Sequence, residues 1–435
     1  MVKPTGVTIR AYDVGFGDCF LVTFHYKKEN RSILIDFGST GLPPEPGPGP
    51  KRMEKIAKDI REFVKKNCGG QLHGVVATHR HKDHISGFGG KTGQIIEDLK
   101  PNIVIQPWTE DPRAQKSAKT ATATPAAARP GRLAAMQDQY LMALDNMNAF
   151  SQAALSASKD EMGVLTKKKI DFLADDNLAN RDAVERLARM GKNEYVRSGF
   201  KSKLQQQLPG VKVHVLGPPD LSQTETILKQ RSRDKDEFWH FMQFWSLFGV
   251  NGTGAASRPG ARLFPRADVE QEIPMQTRWF IDRANRLHGN QLLGIVRILD
   301  KAMNNTSVIL LFEVGGKKLL FPGDAQIENW AFSLSKPKVM KMLSDVDVYK
   351  VGHHGSLNAT PKTLWNGFVH KSKKKTEPGR LTSVVSTMKG KHGEPSRNTE
   401  VPRKTLIDAL TGESHLHSTE ALKGAKFFED IPVPL

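Results

Sequence analysis

Hydrophobic and polar positions alternate at the start of the chain and then merge into solid apolar runs. VTIRAYDVG (7–15) alternates, CFLVTFHY (19–26) is apolar almost throughout, and SILIDFG (32–38) ends near a carboxylate, so residues 7 to 37 predict two or three strands. STGLPPEPGPGPKR (39–52) holds too many breakers for regular structure. The spacing in RMEKIAKDIREFVKKN predicts an amphipathic helix over 52–67, with Met53, Ile56, Ile60 and Val64 on one face. GVVATH (74–79) follows as a short β-branched strand. Strand, loop, helix, strand is an α/β pattern.

The middle of the chain changes character. ARPGR and an Ala/Thr tract at 118–129 form a flexible approach, and Leu133, Met136, Tyr140, Leu144 and Met147 mark a helix within 132–158. Residues 181–190 predict another helix, and VKVHVLGPPD (211–220) predicts a strand with a proline stop. From 306 the strand pattern returns. TSVILLFEVGGKKLLFPGDA predicts two strands joined at Gly315–Gly316, VDVYKVGHHGS a strand ending in histidines, and LTSVVSTM a further one. The expected organisation is a first half of the core at 1–109, a helical insertion at 110–205, a core strand at 206–220, a helical or irregular insertion at 221–300, and the second half at 301–435.

The stretch ATHRHKDHISG (77–87) places His79, His81, Asp83 and His84 within six positions, just past a strand end. A divalent metal takes imidazole and carboxylate ligands at about 2.0–2.2 Å. His79 and His81, two apart, can point one way from an extended segment, while Asp83 and His84 continue into a turn and can point to a neighbouring place. One loop can therefore begin two metal sites. The missing ligands are expected at other strand ends, where Asp324 follows LLFPG and His353 and His354 follow VYKVG. Two metals sharing a carboxylate suit hydrolysis by an activated hydroxide.

Together, DVGFGDCFLV, ILIDFGS, THRHKDHISG, NTSVILLFEVGGKKLLFPGDA and VYKVGHHGS resemble the metallo-β-lactamase fold superfamily, and more closely the hydrolase domain of ComEC-type DNA-uptake proteins and its free-standing relatives. The matches cover about 150 residues, at the two ends of the chain. The resemblance implies an α/β fold, a four-layer αββα sandwich carrying large helical insertions, and a metal-dependent phosphodiesterase or nuclease. Carried over by position, it implies that His79 and His81 bind one metal, that Asp83 and His84 bind a second, that Asp324 bridges them, and that His353 completes the second site. His354 is exchangeable with His353 and is taken, with Asp83, as a catalytic residue. Asp36 and Asp18 are expected either to stand behind the ligands and orient them or to serve only their own turns. The pair of metals is expected to be Zn, with Mn or Fe as alternatives. A further histidine expected near VLGPPD is replaced by Gly217, with His214 and Asp220 as distant substitutes. In MKGKHGEPS, His392 and Glu394 are candidates for substrate contact.

The 435 residues carry a formal charge of +18, which favours polyanionic partners such as nucleic acid or another phosphorylated substrate. The lysines at 167–169 and Lys371, Lys373, Lys374 and Lys375 are candidate phosphate contacts, and Phe238, Trp239, Phe241, Phe244, Trp245, Phe248 and Trp279 form an aromatic group suited to packing or base stacking. Two cysteines, Cys19 and Cys68, make no disulfide framework. No apolar signal core opens the chain and no run approaches the ~18 residues of a membrane span. The expectation is a cytoplasmic protein without a membrane partner. A lactonase- or thioesterase-like hydrolase is the alternative activity, and a binding or effector protein with a vestigial site is the alternative class.

Overall fold

The structure, a computed structural model, describes residues 2–43, 51–111, 181–220, 222–224, 304–356, 360–397, 400–422 and 426–435. The chain divides into two compact units, one of Met1–Ala128, Ala179–Leu228 and Ala302–Leu435, the other of Arg129–Leu178 and Lys229–Lys301. All described residues belong to the first. The expected helix within 132–158, the lysines at 167–169, the aromatic residues at 238–248 and Trp279 lie outside the described residues.

The first unit is a mixed α/β structure with two mixed sheets. One sheet takes β1 (Gly6–Tyr12), β2 (Cys19–His25), β3 (Arg31–Phe37), β4 (Gly74–Val76), β5 (Ile103–Pro107) and β6 (Lys192–Val196). The other takes β7 (Val211–Gly217), β8 (Ile309–Val314), β9 (Lys317–Phe321), β10 (Val348–Lys350), β11 (Thr382–Val385) and β12 (His415–Ser418). A last strand, β13 (Phe428–Pro434), pairs antiparallel with β1, so the orders are β13-β1-β2-β3-β4-β5-β6 and β12-β11-β10-β9-β8-β7. In each sheet a run of antiparallel pairs gives way to parallel ones, from β3 onward in the first and from β9 onward in the second.

Period-two alternation explains the apolar runs. Phe20, Val22 and Phe24 of β2 share one core with Phe312 of β8 and Phe321 of β9, so the two sheets meet face to face there. Phe20 packs on Phe321 and Phe24 on Phe312, each pair with ring centroids 6.1 Å apart. The intervening Cys19 and Leu21 face a second core that includes Ile56, Ile60 and Val64 of the helix Arg52–Asn67. Strands buried on both faces need no polar side, which is why these runs are solid. A third core joins Leu311 and Leu320 to Trp330, Val339 and Leu343 of the helices Ile327–Leu334 and Pro337–Ser344. Each fully buried side chain of this kind stabilises the fold by ~1.5–3 kcal/mol.

One boundary needs correction. Residues 192–196, inside the expected insertion at 110–205, form β6 and pair in parallel with β5. KNEYV is an edge strand with only its last three residues buried, so it carries no apolar run to betray it. The described end of the same segment does contain a helix, Arg181–Leu187. Among the described residues no helix is long and apolar enough to cross a membrane.

Candidate metal centre

The parallel strands deliver the candidate residues to one edge, the carboxyl ends where α/β sheets gather their ligands. Asp36 is the penultimate residue of β3. His79 and His81 follow β4, and Asp83 and His84 lie in the short helix Lys82–Ile85. Asp324 follows β9 through Pro322–Gly323, and His354 follows β10 through Gly352–His353. Gly38 makes the approach possible, since a Cβ there would meet the backbone of the histidine loop at 2.4 Å.

Three groups of side chains bring their ligand atoms within 4.8 Å of one another: Asp83, His84, Asp324 and His354; His79, His81 and Asp83; and Asp18, Asp36 and His84. Asp83 belongs to the first two, whereas Asp324, expected to bridge, joins only the first, so the shared carboxylate is Asp83 instead. His84 Nε2 lies 3.1 Å from Asp324 Oδ2 and 3.9 Å from Asp83 Oδ1. His354 Nε2 lies 3.1 Å from Asp83 Oδ2 and 3.7 Å from Asp324 Oδ2. In the second group His79 Nε2 stands 3.0 Å from His81 Nδ1. Tetrahedral ligands at 2.0–2.1 Å from a common ion stand about 3.3 Å apart, close to these separations. His84 Nε2 is fully buried and faces the carboxylates of Asp324 and Asp83. An imidazole nitrogen directed at two carboxylates fits a cation, so these buried His and Asp groups could hold a metal ion.

The far side of each imidazole is held by the protein. His84 Nδ1 lies 2.8 Å from Asp36 Oδ2, and Asp36 also accepts from the Thr78 backbone N–H (2.7 Å) and hydroxyl (2.8 Å). His354 Nδ1 lies 3.0 Å from the Ser386 carbonyl oxygen, which can only accept, so Nδ1 carries the hydrogen and Nε2 faces the centre. Asp18 sits behind both rings, with Oδ2 3.6 Å from His84 Nδ1 and Oδ1 3.5 Å from His354 Nδ1, and is ion-paired to buried Lys350. That ammonium already answers the charge of the third group.

Burial and neighbouring charge set the protonation. Burial, reinforced by the neighbouring His84 and His81, holds His79 well below the usual imidazole range, which keeps it neutral and able to bind metal. Burial also pulls His84 and His354 down, but the carboxylates around them outweigh it and both are raised. Burial pushes Asp83 and Asp324 up, but the histidines beside them win and both are lowered. Burial raises Asp36.

His353, expected as the ligand after β10, is corrected. Both His353 (φ 42°) and His354 (φ 50°) have left-handed backbone, and this turn sends the second ring inward. His353 Nδ1 instead lies 2.8 Å from the Ser356 hydroxyl, its Nε2 is 3.7 Å from Asp324 Oδ2, and its side chain is 26% exposed. His354 is fully buried and belongs to the first group. The distant substitutes do not reach the centre. His214 Nε2 stands 3.3 Å from Glu313 Oε2, and Asp220 pairs with Arg197 at 3.0 Å. A Cβ on Gly217 would meet Asn329 Oδ1 at 2.5 Å, so no histidine fits that place without rearrangement. His392 lies near the centre, since Phe16 separates it (ring centroids 4.2 Å) from His354 (4.4 Å), whereas Glu394 is exposed and joins none of the groups. Lys371 and Lys374 pair with Glu413 and Glu377.

Lys350 is a further buried charge beside the centre, paired with Asp18. Its signal was a lysine in the apolar strand VDVYKV, two residues after Val348 and so on the same face toward the inter-sheet core. Comparison with known proteins finds no family model that matches the chain and no match among curated proteins.

Proposed function

We propose that this protein is a divalent-metal-dependent hydrolase of phosphodiesters, built as the αββα sandwich of the metallo-β-lactamase superfamily and related to ComEC-type hydrolase domains. The observation that carries this reading is the position of Asp83, shared by a group of three side chains and a group of four. A shared carboxylate suits a pair of ions a few ångströms apart. Support for the sandwich comes from two sheets that share an inner core and carry helices on their outer faces.

Bound divalent ions would lower the pKa of a water and neutralise charge developing at phosphorus. The chain's own part is preparatory. Asp36 and the Ser386 carbonyl fix the hydrogen-bearing nitrogens of His84 and His354, so their other nitrogens face Asp83 and Asp324. Asp83 is the most accessible of the four carboxylates, its side chain 14% exposed against 1–2% for Asp18, Asp36 and Asp324, and so it faces the approach to the centre. The four-residue group is the stronger site, and Zn, Mn and Fe all suit its ligands. The charge of +18 favours nucleic acid or another phosphorylated substrate.

The test is hydrolysis of bis-p-nitrophenyl phosphate and of single-stranded DNA by protein loaded with Zn, Mn or Fe. Cleavage that disappears with a chelator and in Asp83→Ala is the expected result. A metal-loaded protein that spares both phosphodiesters and cleaves uncharged esters or lactones would overturn the substrate assignment.

A further inference from the structure

We propose that Lys350 is a positioning residue of the metal centre, holding Asp18 and the inner oxygen of Asp324 so that the outer oxygen of Asp324 is presented to His84 and His354. The proposal rests on the reading of the centre as a metal site.

Lys350 occupies a place where the fold would otherwise put a hydrophobic side chain. In β10 the chain alternates: Val348 lies in the core between the sheets, Tyr349 in the core on the other face, and Lys350 returns to the inner side. It is 2% exposed, and its ammonium stands 5.9 Å from the centre of the Phe20 ring, on the opposite sheet. Burying a charge there is expensive unless it is answered by a partner. The partner is Asp18, from the turn leading into β2, so the ion pair links the two sheets directly beneath the centre.

The two oxygens of Asp324 are held differently. Oδ1 accepts from the His353 backbone N–H at 3.1 Å and lies 3.9 Å from Lys350 Nζ. Oδ2 lies 3.1 Å from His84 Nε2 and 3.7 Å from His354 Nε2. Lys350 also reaches the Gly323 carbonyl oxygen at 3.5 Å, so it holds the backbone that carries Asp324 as well as the side chain. Rotation of this carboxylate would exchange the oxygen facing the imidazoles for the one facing the ammonium. A fixed cation on one side disfavours that exchange.

Simple electrostatics predicts the opposite consequence for metal binding, which makes the role testable. A cation a few ångströms from a divalent ion repels it, so removing Lys350 would tighten metal if charge were all that mattered. If Lys350 positions Asp324, removing it loosens metal, by about the 10–100-fold typical of groups that orient ligands.

The experiment is a Co²⁺ titration against a competing chelator, read by the visible spectrum, on the full chain and on Lys350→Met, Lys350→Arg and the double variant Lys350→Met/Asp18→Asn. The double variant removes both buried charges and carries the test if Lys350→Met alone fails to fold. The expected result is weaker Co²⁺ binding and an altered spectrum in the Met variants, with partial recovery in Lys350→Arg. Equal or tighter binding with an unchanged spectrum in whichever Met variants fold would overturn the proposal. Failure of the unsubstituted protein to bind Co²⁺ would instead overturn the metal centre itself.

Discussion

The Nδ1 of His84 stands 2.8 Å from Oδ2 of Asp36, and this contact ties the histidine loop to the end of β3. Asp36 adopts a left-handed backbone (φ 55°), uncommon for a residue other than glycine, and its carboxylate also holds Thr78 by two hydrogen bonds. It therefore fixes both the ring of His84 and the path of the loop that carries the other candidate ligands. Asp36→Asn keeps the size but presents an amide that cannot reproduce all these contacts. Metal affinity should fall ~10–100-fold, measured by chelator competition; unchanged affinity would reduce Asp36 to a turn residue.

The two histidines after β10 should separate cleanly. His354→Ala removes a buried member of the four-residue group and should abolish tight metal binding, whereas His353→Ala should leave it within a fewfold of the original. Calorimetric titration with Zn²⁺ checks this, and the reverse ranking would restore His353, the ligand that the family resemblance implies.

Metal stabilisation should grow with pH. His84 and His354 are raised in the metal-free fold by the carboxylates around them. Their protonated forms therefore contribute stability that is complete below the unfolded value of ~6.5 and is lost as pH rises through the folded value. A metal must displace those protons, and it does so more easily as pH rises. The rise in melting temperature caused by Mn²⁺ should be larger at pH 8 than at pH 6. A larger effect at pH 6 would contradict the assignment of these histidines as ligands.

Gly38→Ala should disturb the centre without altering any candidate ligand side chain. The added Cβ would meet His84 N and Lys82 O at 2.4 Å, both backbone atoms. A cost of ~1–3 kcal/mol is expected from overpacking, read by chemical denaturation, together with weaker metal binding. A variant as stable as the parent would show that the loop can move aside freely.

Much of this was legible from the chain. His79, His81, Asp83 and His84 lie within one short loop after a strand, and Asp324 is anchored by the Gly-Asp turn after an apolar run, so local pattern alone located them. The choice between His353 and His354 was not legible, because spacing does not encode two successive left-handed residues. β6 was missed because it is a half-exposed edge strand, and Lys350 because a lysine in a strand reads as solvent-facing until the opposite sheet supplies Asp18. Those features depend on tertiary partners far away in sequence.

The most direct test of the paired metal centre is the metal content of the protein as purified and after saturation with Zn²⁺, measured by elemental analysis beside Asp83→Ala with folding checked by circular dichroism. One tightly held ion, a second held more weakly, and loss of both in Asp83→Ala are expected, because that carboxylate belongs to both groups. A folded protein that binds no divalent ion, or an Asp83→Ala variant that binds as much as the parent, would contradict the paired centre.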